Sequence, residues 1–216
     1  MAQFTDITVL VDRSGSMEAI KAAMESAFDE FVREHRAVPS SRLTLIQFDS
    51  KDPQEVVFRA KPIAEAGRLV IEPRSMTPLL DALGTAIDAT GERLKGMSDA
   101  DRPDQVLFVV ITDGLENASR EFDRAAVRKR IEQQSSVYKW QFVYLGANQN
   151  AIAEAAKLGI PVEDALDYAA VPDNAMAAMR AFSENSVKYA SRTATHAGSF
   201  TSAQRSASVR PKDSQR

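Results

Sequence analysis

Short apolar runs alternate along the chain with longer segments in which apolar residues recur every three or four positions. The short runs have the length and the branched or aromatic residues of β-strands, and the longer segments have the period of amphipathic helices. Strands are predicted at residues 7–11, 43–48, 106–111 and 142–145, with a short edge strand at 56–58 and a last strand at 165–170.

Five helices are predicted among these strands. In the first, which begins after residue 16, Met24, Phe28 and Phe31 share one face. The second follows Thr77 and Pro78, a polar cap and then a proline at the first helical position. The other three are predicted at residues 122–134, 151–158 and 175–190.

This alternation predicts an α/β fold that is doubly wound, with a mostly parallel central sheet, one antiparallel edge strand and helices on both faces. Residues 106–111 contain no polar side chain, which is typical of a central strand covered on both sides. The edge strand is the one predicted at 56–58.

Length and composition then limit the kind of protein. A chain of 216 residues with 44% hydrophobic content supports one domain, predicted at residues 1–191. From residue 192 to 216 the sequence is rich in Ser, Thr, Ala and Arg, which predicts a mostly disordered tail.

Charge and cysteine usage narrow the setting. The net charge of −3 gives no basic surface for nucleic acid, and no apolar run is long enough to cross a membrane. The sequence has no cysteine, and its first residues lack the pattern of a secretory signal. We therefore expect a cytoplasmic protein.

Candidate chemistry lies at the ends of two predicted strands. Asp12, Ser14 and Ser16 follow the first strand directly, and Asp113 follows the strand at 106–111. The carboxyl ends of parallel strands meet at one edge of a sheet, so the two carboxylates should converge. A hard divalent cation would relieve their repulsion, because it binds carboxylate and hydroxyl oxygens.

Each of these residues also has a structural explanation. Ser16 and Thr77 are ordinary helix caps, and Asp113 followed by Gly114 is an ordinary turn. Their order and their placement at strand ends and helix starts favour the metal site over three unrelated local roles.

The pattern of Asp12-x-Ser14-x-Ser16, then Thr77, then Asp113 resembles the metal-ion-dependent adhesion site of von Willebrand factor A domains. The order of predicted elements over residues 4 to 190 is similar as well. The resemblance implies Mg²⁺, with Mn²⁺ and Ca²⁺ as alternatives. It also implies that the serines and the threonine coordinate directly, that the aspartates hold waters and balance charge, and that one position stays open.

That open position implies binding of another protein through an Asp or Glu of the partner. The chain is similar to small intracellular members of bacteria and phages, which implies a regulatory or assembly subunit, with an AAA+ ATPase as one candidate partner. Specificity would come from the rim of the site, for which we predict residues 49–52, 115–119 and 148–150.

An enzyme is the main alternative, either a metal-dependent phosphoryl-transfer enzyme or a hydrolase. The residue two positions after Asp12 is Ser14, where haloacid-dehalogenase-like phosphatases need a second acid, and no phosphate-binding glycine loop or G-x-S-x-G motif is present. His35 and His196 are predicted to be solvated, so neither is a candidate base. We expect no enzyme activity; a structural domain with an idle site is the remaining alternative.

Overall fold

A six-stranded sheet forms the centre of the protein, whose computed structural model describes residues 4–38, 41–147 and 150–209. The strand order is β3-β2-β1-β4-β5-β6, and every neighbouring pair is parallel except β2 and β3. The strands are β1 (Thr5–Asp12), β2 (Ser41–Phe48), β3 (Glu55–Pro62), β4 (Gln105–Thr112), β5 (Gln141–Ala147) and β6 (Ala165–Tyr168).

Helices cover both faces of this sheet. The helices are α1 (Lys21–His35), α2 (Leu79–Lys95), α3 (Arg124–Tyr138), α4 (Ala151–Lys157), α5 (Pro172–Ala190) and α6 (Ser202–Val209), with 3₁₀ turns at Gly15–Ala19, Ile63–Glu65 and Val162–Asp164. Among the described residues, no helix combines the length and the apolar character that a membrane crossing requires.

The core consists of two apolar layers, one on each side of the sheet. Along β4, Leu107 and Val109 enter the layer that contains α1 and α5, whereas Phe108 and Val110 enter the layer that contains α2, α3 and α4. Successive side chains of a strand point to opposite faces, so an uninterrupted apolar strand supplies both layers. The predicted fold, doubly wound and mostly parallel with one antiparallel edge strand, is confirmed.

Local chemistry sets the bounds of α3. The helix begins at Arg124 because the carboxylate of Asp123 accepts a hydrogen bond from the backbone N–H of Ala126 at 2.7 Å. It ends at Tyr138, since Lys139 adopts a left-handed conformation with φ of 60°. The helix therefore starts and ends a few residues later than the pattern predicts.

Residues 192–209 fold against the sheet, so the prediction of a disordered tail is wrong for them. The Phe200 side chain is buried, and Arg205 donates hydrogen bonds to the carbonyl oxygens of Ala165 at 2.7 Å and Val162 at 2.9 Å. A few well-placed side chains provide these contacts, which the average composition conceals. Residues 210–216 lie outside the described residues.

The prediction that His35 is solvated is also wrong. The side chain is fully buried, its ring centroid lies 4.2 Å from that of Phe31, and its Nδ1 donates to the Phe31 carbonyl oxygen at 3.0 Å. Burial lowers the pKa of His35 to about 4. Positions 28, 31 and 35 share one helix face, so the apolar stripe of α1 extends to its last residue. His196 is exposed, as predicted.

Candidate metal centre

The five predicted ligands come together at one edge of the sheet. Asp12 is the last residue of β1, and Asp113 directly follows β4, its parallel neighbour. Thr77 lies just before α2, which begins at Leu79. The remaining two ligands, Ser14 and Ser16, lie in the turn that follows β1. This edge is the carboxyl-terminal one, where ligands of open α/β sheets bind.

Four of the five residues are linked by hydrogen bonds. Oδ1 of Asp12 accepts from the backbone N–H of Ser14 at 2.7 Å. The hydroxyl oxygens of Ser14 and Ser16 lie 3.1 Å apart, and Ser16 donates its hydroxyl to Oδ1 of Asp113 at 2.7 Å. The other oxygen of Asp12, Oδ2, accepts from the hydroxyl of Thr112 at 2.6 Å.

Thr77, the fifth residue, reaches the group through a close approach at Gly114. A β-carbon at Gly114 would lie 2.7 Å from the Thr77 hydroxyl oxygen and 3.5 Å from Oδ2 of Asp12. Both oxygens therefore face the same small volume, which only glycine leaves open. Asn117 holds Thr77 in place, since each residue's backbone N–H donates to an oxygen of the other, at 2.9 and 3.1 Å.

Burial dominates the electrostatics of the two carboxylates. Asp12 has no exposed surface, and Asp113 retains 7% of its surface. Burial raises the pKa of Asp12 to about 6, against the hydrogen bonds from Thr112 and Ser14 that lower it, and the nearby Asp113 raises it slightly. Burial also raises the pKa of Asp113, with partial compensation from Ser16.

A tyrosine lies beside the same charges. The pKa of the buried Tyr168 is far above its ordinary value, first because of burial and then because of the charges of Asp113 and Asp12. In contrast, the described part of the chain places no Lys, Arg or His in an ion pair with Asp12 or Asp113. Two buried acidic groups thus lie at one sheet edge, and no cationic side chain of the described residues pairs with either of them.

An ion-pair network positions the turn after β1, and sequence reasoning did not identify it. Arg13 and Asp49 are both buried, and Nε of Arg13 contacts Oδ2 of Asp49 at 2.5 Å. Arg74 contacts the same oxygen through its Nε at 2.9 Å, and Arg13 also pairs with Glu55. The partners lie 25 to 42 positions apart in sequence, so no local motif reveals them.

Asp49 therefore does not belong to the rim that residues 49–52 were predicted to form. Burial alone would raise its pKa, but hydrogen bonds from Arg74, the Lys51 backbone and Arg13 outweigh burial and hold the pKa below its ordinary value. The side chain is fixed inside the protein as a buried anion, where it holds two loops rather than a partner.

Residues 115–119, also predicted as rim, divide into structural and exposed positions. The Glu116 carboxylate accepts from the backbone N–H groups of Ala118 and Ser119, at 2.9 and 2.8 Å, and from that of Leu80 in the first turn of α2 at 2.9 Å. Glu116 thus caps α2, whereas the side chain of Leu115 is exposed.

Of the third predicted rim segment, residues 148–150, the structure describes only Asn150. Residues 148 and 149 lie outside the described residues. Asn150 is exposed, and its side chain accepts from the backbone N–H of Ala153 at 2.9 Å, which caps α4.

The donor set fits a hard divalent cation. It offers carboxylate and hydroxyl oxygens, the ligands that Mg²⁺, Mn²⁺ and Ca²⁺ take in proteins. Within the described ranges no cluster of three or more Asp, Glu, His or Cys side chains could hold a metal, so the hydroxyls are essential to this site. A groove of about 770 Å³ lies elsewhere, beside α2, α3 and Trp140, and contains none of the five residues.

No protein-family model matches the chain, and no curated protein sequence is significantly similar to it. Solved structures share its fold. Proximal thread matrix protein 1 of the mussel byssus superposes with a TM-score of 0.61 at 15% identity, over 86% of this chain and 46% of that protein. A von Willebrand factor type A protein from Catenulispora acidiphila superposes with a TM-score of 0.51 at 17% identity, over 87% and 43%.

The manganese-loaded TRAP protein of Plasmodium vivax superposes with a TM-score of 0.54 at 14% identity, over 77% of this chain and 69% of that one. The chain spans less than half the length of the mussel and Catenulispora proteins. At such identities the likeness concerns the fold alone. Together with the strand order and the parallel sheet, it shows that the chain has an α/β fold like that of von Willebrand factor type A domains.

Proposed function

We propose that this protein binds a divalent cation, Mg²⁺, through Asp12, Ser14, Ser16, Thr77 and Asp113, and that it uses the loaded site to bind another protein. Mn²⁺ and Ca²⁺ are alternatives at the same oxygens. At the coarser level, the type A fold supports an interaction domain.

One observation carries the proposal. Asp12 and Asp113 are buried at the same sheet edge, joined through Ser14 and Ser16, and no cationic side chain among the described residues pairs with them. Burying two such carboxylates without a counter-charge is unfavourable, and a bound cation would reverse the sign of that effect. The manganese-loaded state of the TRAP protein supports a metal in this fold.

The bound cation would supply a positive charge that attracts a carboxylate of the partner protein. The residues that hold the cation differ in their exposure. Ser16 is exposed at the site, whereas Asp12, Ser14 and Thr77 are buried behind it. A partner would therefore approach from the side of Ser16, while the buried carboxylates neutralise charge from below.

The proposal includes no catalytic step. That the protein is not an enzyme, that it works inside the cell as a regulatory or assembly subunit, and that its partner is an AAA+ ATPase stay predictions from the sequence.

The first test is direct metal binding. Titration of the protein with Mn²⁺, followed by electron paramagnetic resonance of the free ion, should show one bound Mn²⁺ that Mg²⁺ displaces. Asp12→Ala and Asp113→Ala should abolish this binding. Asp88→Ala is the matched control, because it removes a carboxylate of α2 that pairs with Arg130 of α3, outside the site. Circular dichroism should show that all variants stay folded.

A second step connects the metal with a partner. Proteins captured from a lysate in Mg²⁺ should be lost both in EDTA and with Asp113→Ala, and they should remain with Asp88→Ala. Retention of Mn²⁺ by both site variants would contradict the metal assignment. Partners that stay bound in EDTA would show that the interaction does not depend on the metal.

A further inference from the structure

Two large apolar side chains next to the candidate metal site are exposed. Met76 keeps 51% of its surface accessible and Leu115 keeps 57%. Met76 directly precedes Thr77, and Leu115 is two residues beyond Asp113. Both are thus close neighbours of proposed metal ligands along the chain.

Both of their loops contact the turn that carries Ser16. The backbone N–H of Gly15 donates to the carbonyl oxygen of Ser75 at 3.2 Å. The hydroxyl of Ser16 donates to Asp113 at 2.7 Å. The exposed ligand Ser16 therefore belongs to a turn that contacts both the loop of Met76 and the loop of Leu115.

Hydrogen bonds of the Met76 backbone hold its loop in the conformation that leaves the side chain exposed. The Met76 carbonyl oxygen accepts from the backbone N–H of Ser50 at 2.9 Å, and the Met76 N–H donates to the hydroxyl of Ser50 at 3.2 Å. Both backbone groups of Met76 thus have hydrogen-bond partners. A rearrangement of the loop that buried the side chain would break these hydrogen bonds.

The loop of Leu115 is held in the same way. The next residue, Glu116, accepts three backbone N–H bonds, and Asn117 exchanges hydrogen bonds with Thr77. Binding of a partner would remove both apolar side chains from water. Because both loops are already ordered, the entropic cost of binding would be reduced.

We propose that Met76 and Leu115 form an apolar rim which selects partner segments whose coordinating Asp or Glu has a large apolar side chain as an immediate neighbour. The inference rests on the proposed function, because the acidic residue is placed by the metal. Its basis is the continuity of the two exposed side chains with the ligands Thr77 and Asp113. Polar or charged neighbours of the acidic residue would leave both side chains of the rim in water.

The test uses three immobilised seven-residue peptides. The first has a central glutamate with leucine on both sides, the second has the same glutamate with serine on both sides, and the third has glutamine between the leucines. In Mg²⁺ the wild-type protein should bind the leucine-flanked glutamate peptide about tenfold more tightly than the serine-flanked one. The glutamine peptide and EDTA should abolish binding.

Variants then assign the preference to the rim. The double substitution Met76→Ser and Leu115→Ser should remove the preference for leucine but leave binding of the serine-flanked peptide unchanged. Val137→Ser is the matched control, because Val137 is 63% exposed on α3 and should leave the preference intact. Both rim residues are exposed, so the double variant should keep the wild-type melting temperature.

The outcomes separate this inference from the proposed function. Mg²⁺-dependent binding with no preference for leucine, or with a preference that survives in the double variant, would overturn the rim and leave the metal proposal standing. No Mg²⁺-dependent binding of any peptide would overturn both. Self-association that the double substitution abolishes in sedimentation experiments would assign the surface to a second copy of the chain and overturn the peptide rim.

Discussion

Thr112 and Asp12 end two neighbouring parallel strands, and the hydroxyl of Thr112 donates to Oδ2 of Asp12 at 2.6 Å. The strand that delivers Asp113 to the site thus also fixes the carboxylate of the strand beside it. The same hydroxyl accepts from the backbone N–H of Gly114 at 3.2 Å. One threonine side chain therefore links the carboxylate of Asp12 to Gly114, the residue that follows Asp113.

Thr112→Val should consequently destabilise the protein. The substitution keeps the shape of the side chain but leaves a buried oxygen of Asp12 without its donor, which costs about 1–3 kcal/mol. Urea unfolding in EDTA measures the difference, and Thr112→Ser, which keeps the hydroxyl, is the control. A valine variant as stable as the wild type would show that this hydrogen bond contributes nothing.

Gly114→Ala should weaken metal binding while the fold survives. The added β-carbon would lie 2.7 Å from the Thr77 hydroxyl oxygen, so this proposed ligand must move. We expect about a tenfold or greater loss of Mn²⁺ affinity, of the size seen when groups supporting metal ligands are altered.

The control for that experiment is Gly67→Ala. A β-carbon at Gly67 would have no described atom within 4 Å. Its Mn²⁺ affinity should equal that of the wild type. If both alanine variants bind Mn²⁺ like the wild type, the Thr77 hydroxyl is not a ligand.

Asp49→Ala should be among the most destabilising single changes near the site. It removes the carboxylate that pairs with the buried Arg13 and with Arg74, leaving Glu55 as the remaining acidic partner of Arg13. Uncompensated buried charge costs about 3 kcal/mol. Asp52→Ala, which removes a neighbouring carboxylate outside this network, should cost much less in the same denaturation experiment. Equal losses in the two variants would argue against the network.

His35 should make stability depend on pH. Its pKa in the folded protein is about 4, below the ordinary 6.5, because burial favours the neutral ring. Below pH 6.5 the unfolded chain takes up a proton that the folded protein does not. The stability contributed by neutral His35 is therefore complete above pH 6.5 and is lost as the pH falls towards 4.

The comparison to make is with His35→Leu, which cannot titrate. Between pH 7 and pH 4 the wild type should lose about 3 kcal/mol of unfolding free energy relative to this variant. His196→Gln changes an exposed histidine and should follow the wild type. A constant difference between wild type and His35→Leu across this range would rule out a buried neutral ring.

Phe200→Ala tests the folded state of the C-terminal segment. Phe200 is 6% exposed and belongs to the core layer that contains α1 and α5, so its truncation should cost about 3 kcal/mol. It should also speed tryptic cleavage after Arg205. Val209→Ala, at a half-exposed position of α6, should change neither property. A Phe200 variant with wild-type stability would restore the picture of a disordered tail.

Much of the fold could be predicted from sequence because its signals are local. The apolar run of β4, the stripe of α1 and the alternation of strands with helices each lie within a short window. The stripe could also have located His35, since it lies four residues after Phe31 on the same face.

The parts that could not be predicted depend on contacts between distant segments. Arg13 and Asp49 are separated by 36 positions, and Glu116 meets Leu80 across the same distance, so neither pair leaves a local pattern. The C-terminal segment is held by Phe200 and Arg205 against β6, in a stretch whose average composition is that of disordered chains. That the five candidate ligands come together could be predicted only because each of them follows a strand or precedes a helix.

The topology separates the candidate site from half of the molecule. All five proposed ligands precede residue 114. After that residue the described chain contributes supporting residues such as Tyr168, whose hydroxyl lies 3.4 Å from the Thr112 carbonyl oxygen. The outward-facing residues of α3, α4 and α6 can therefore be substituted without changing a proposed metal ligand. They offer positions for fluorophores, fusion partners or surface grafts in a protein whose binding edge stays untouched.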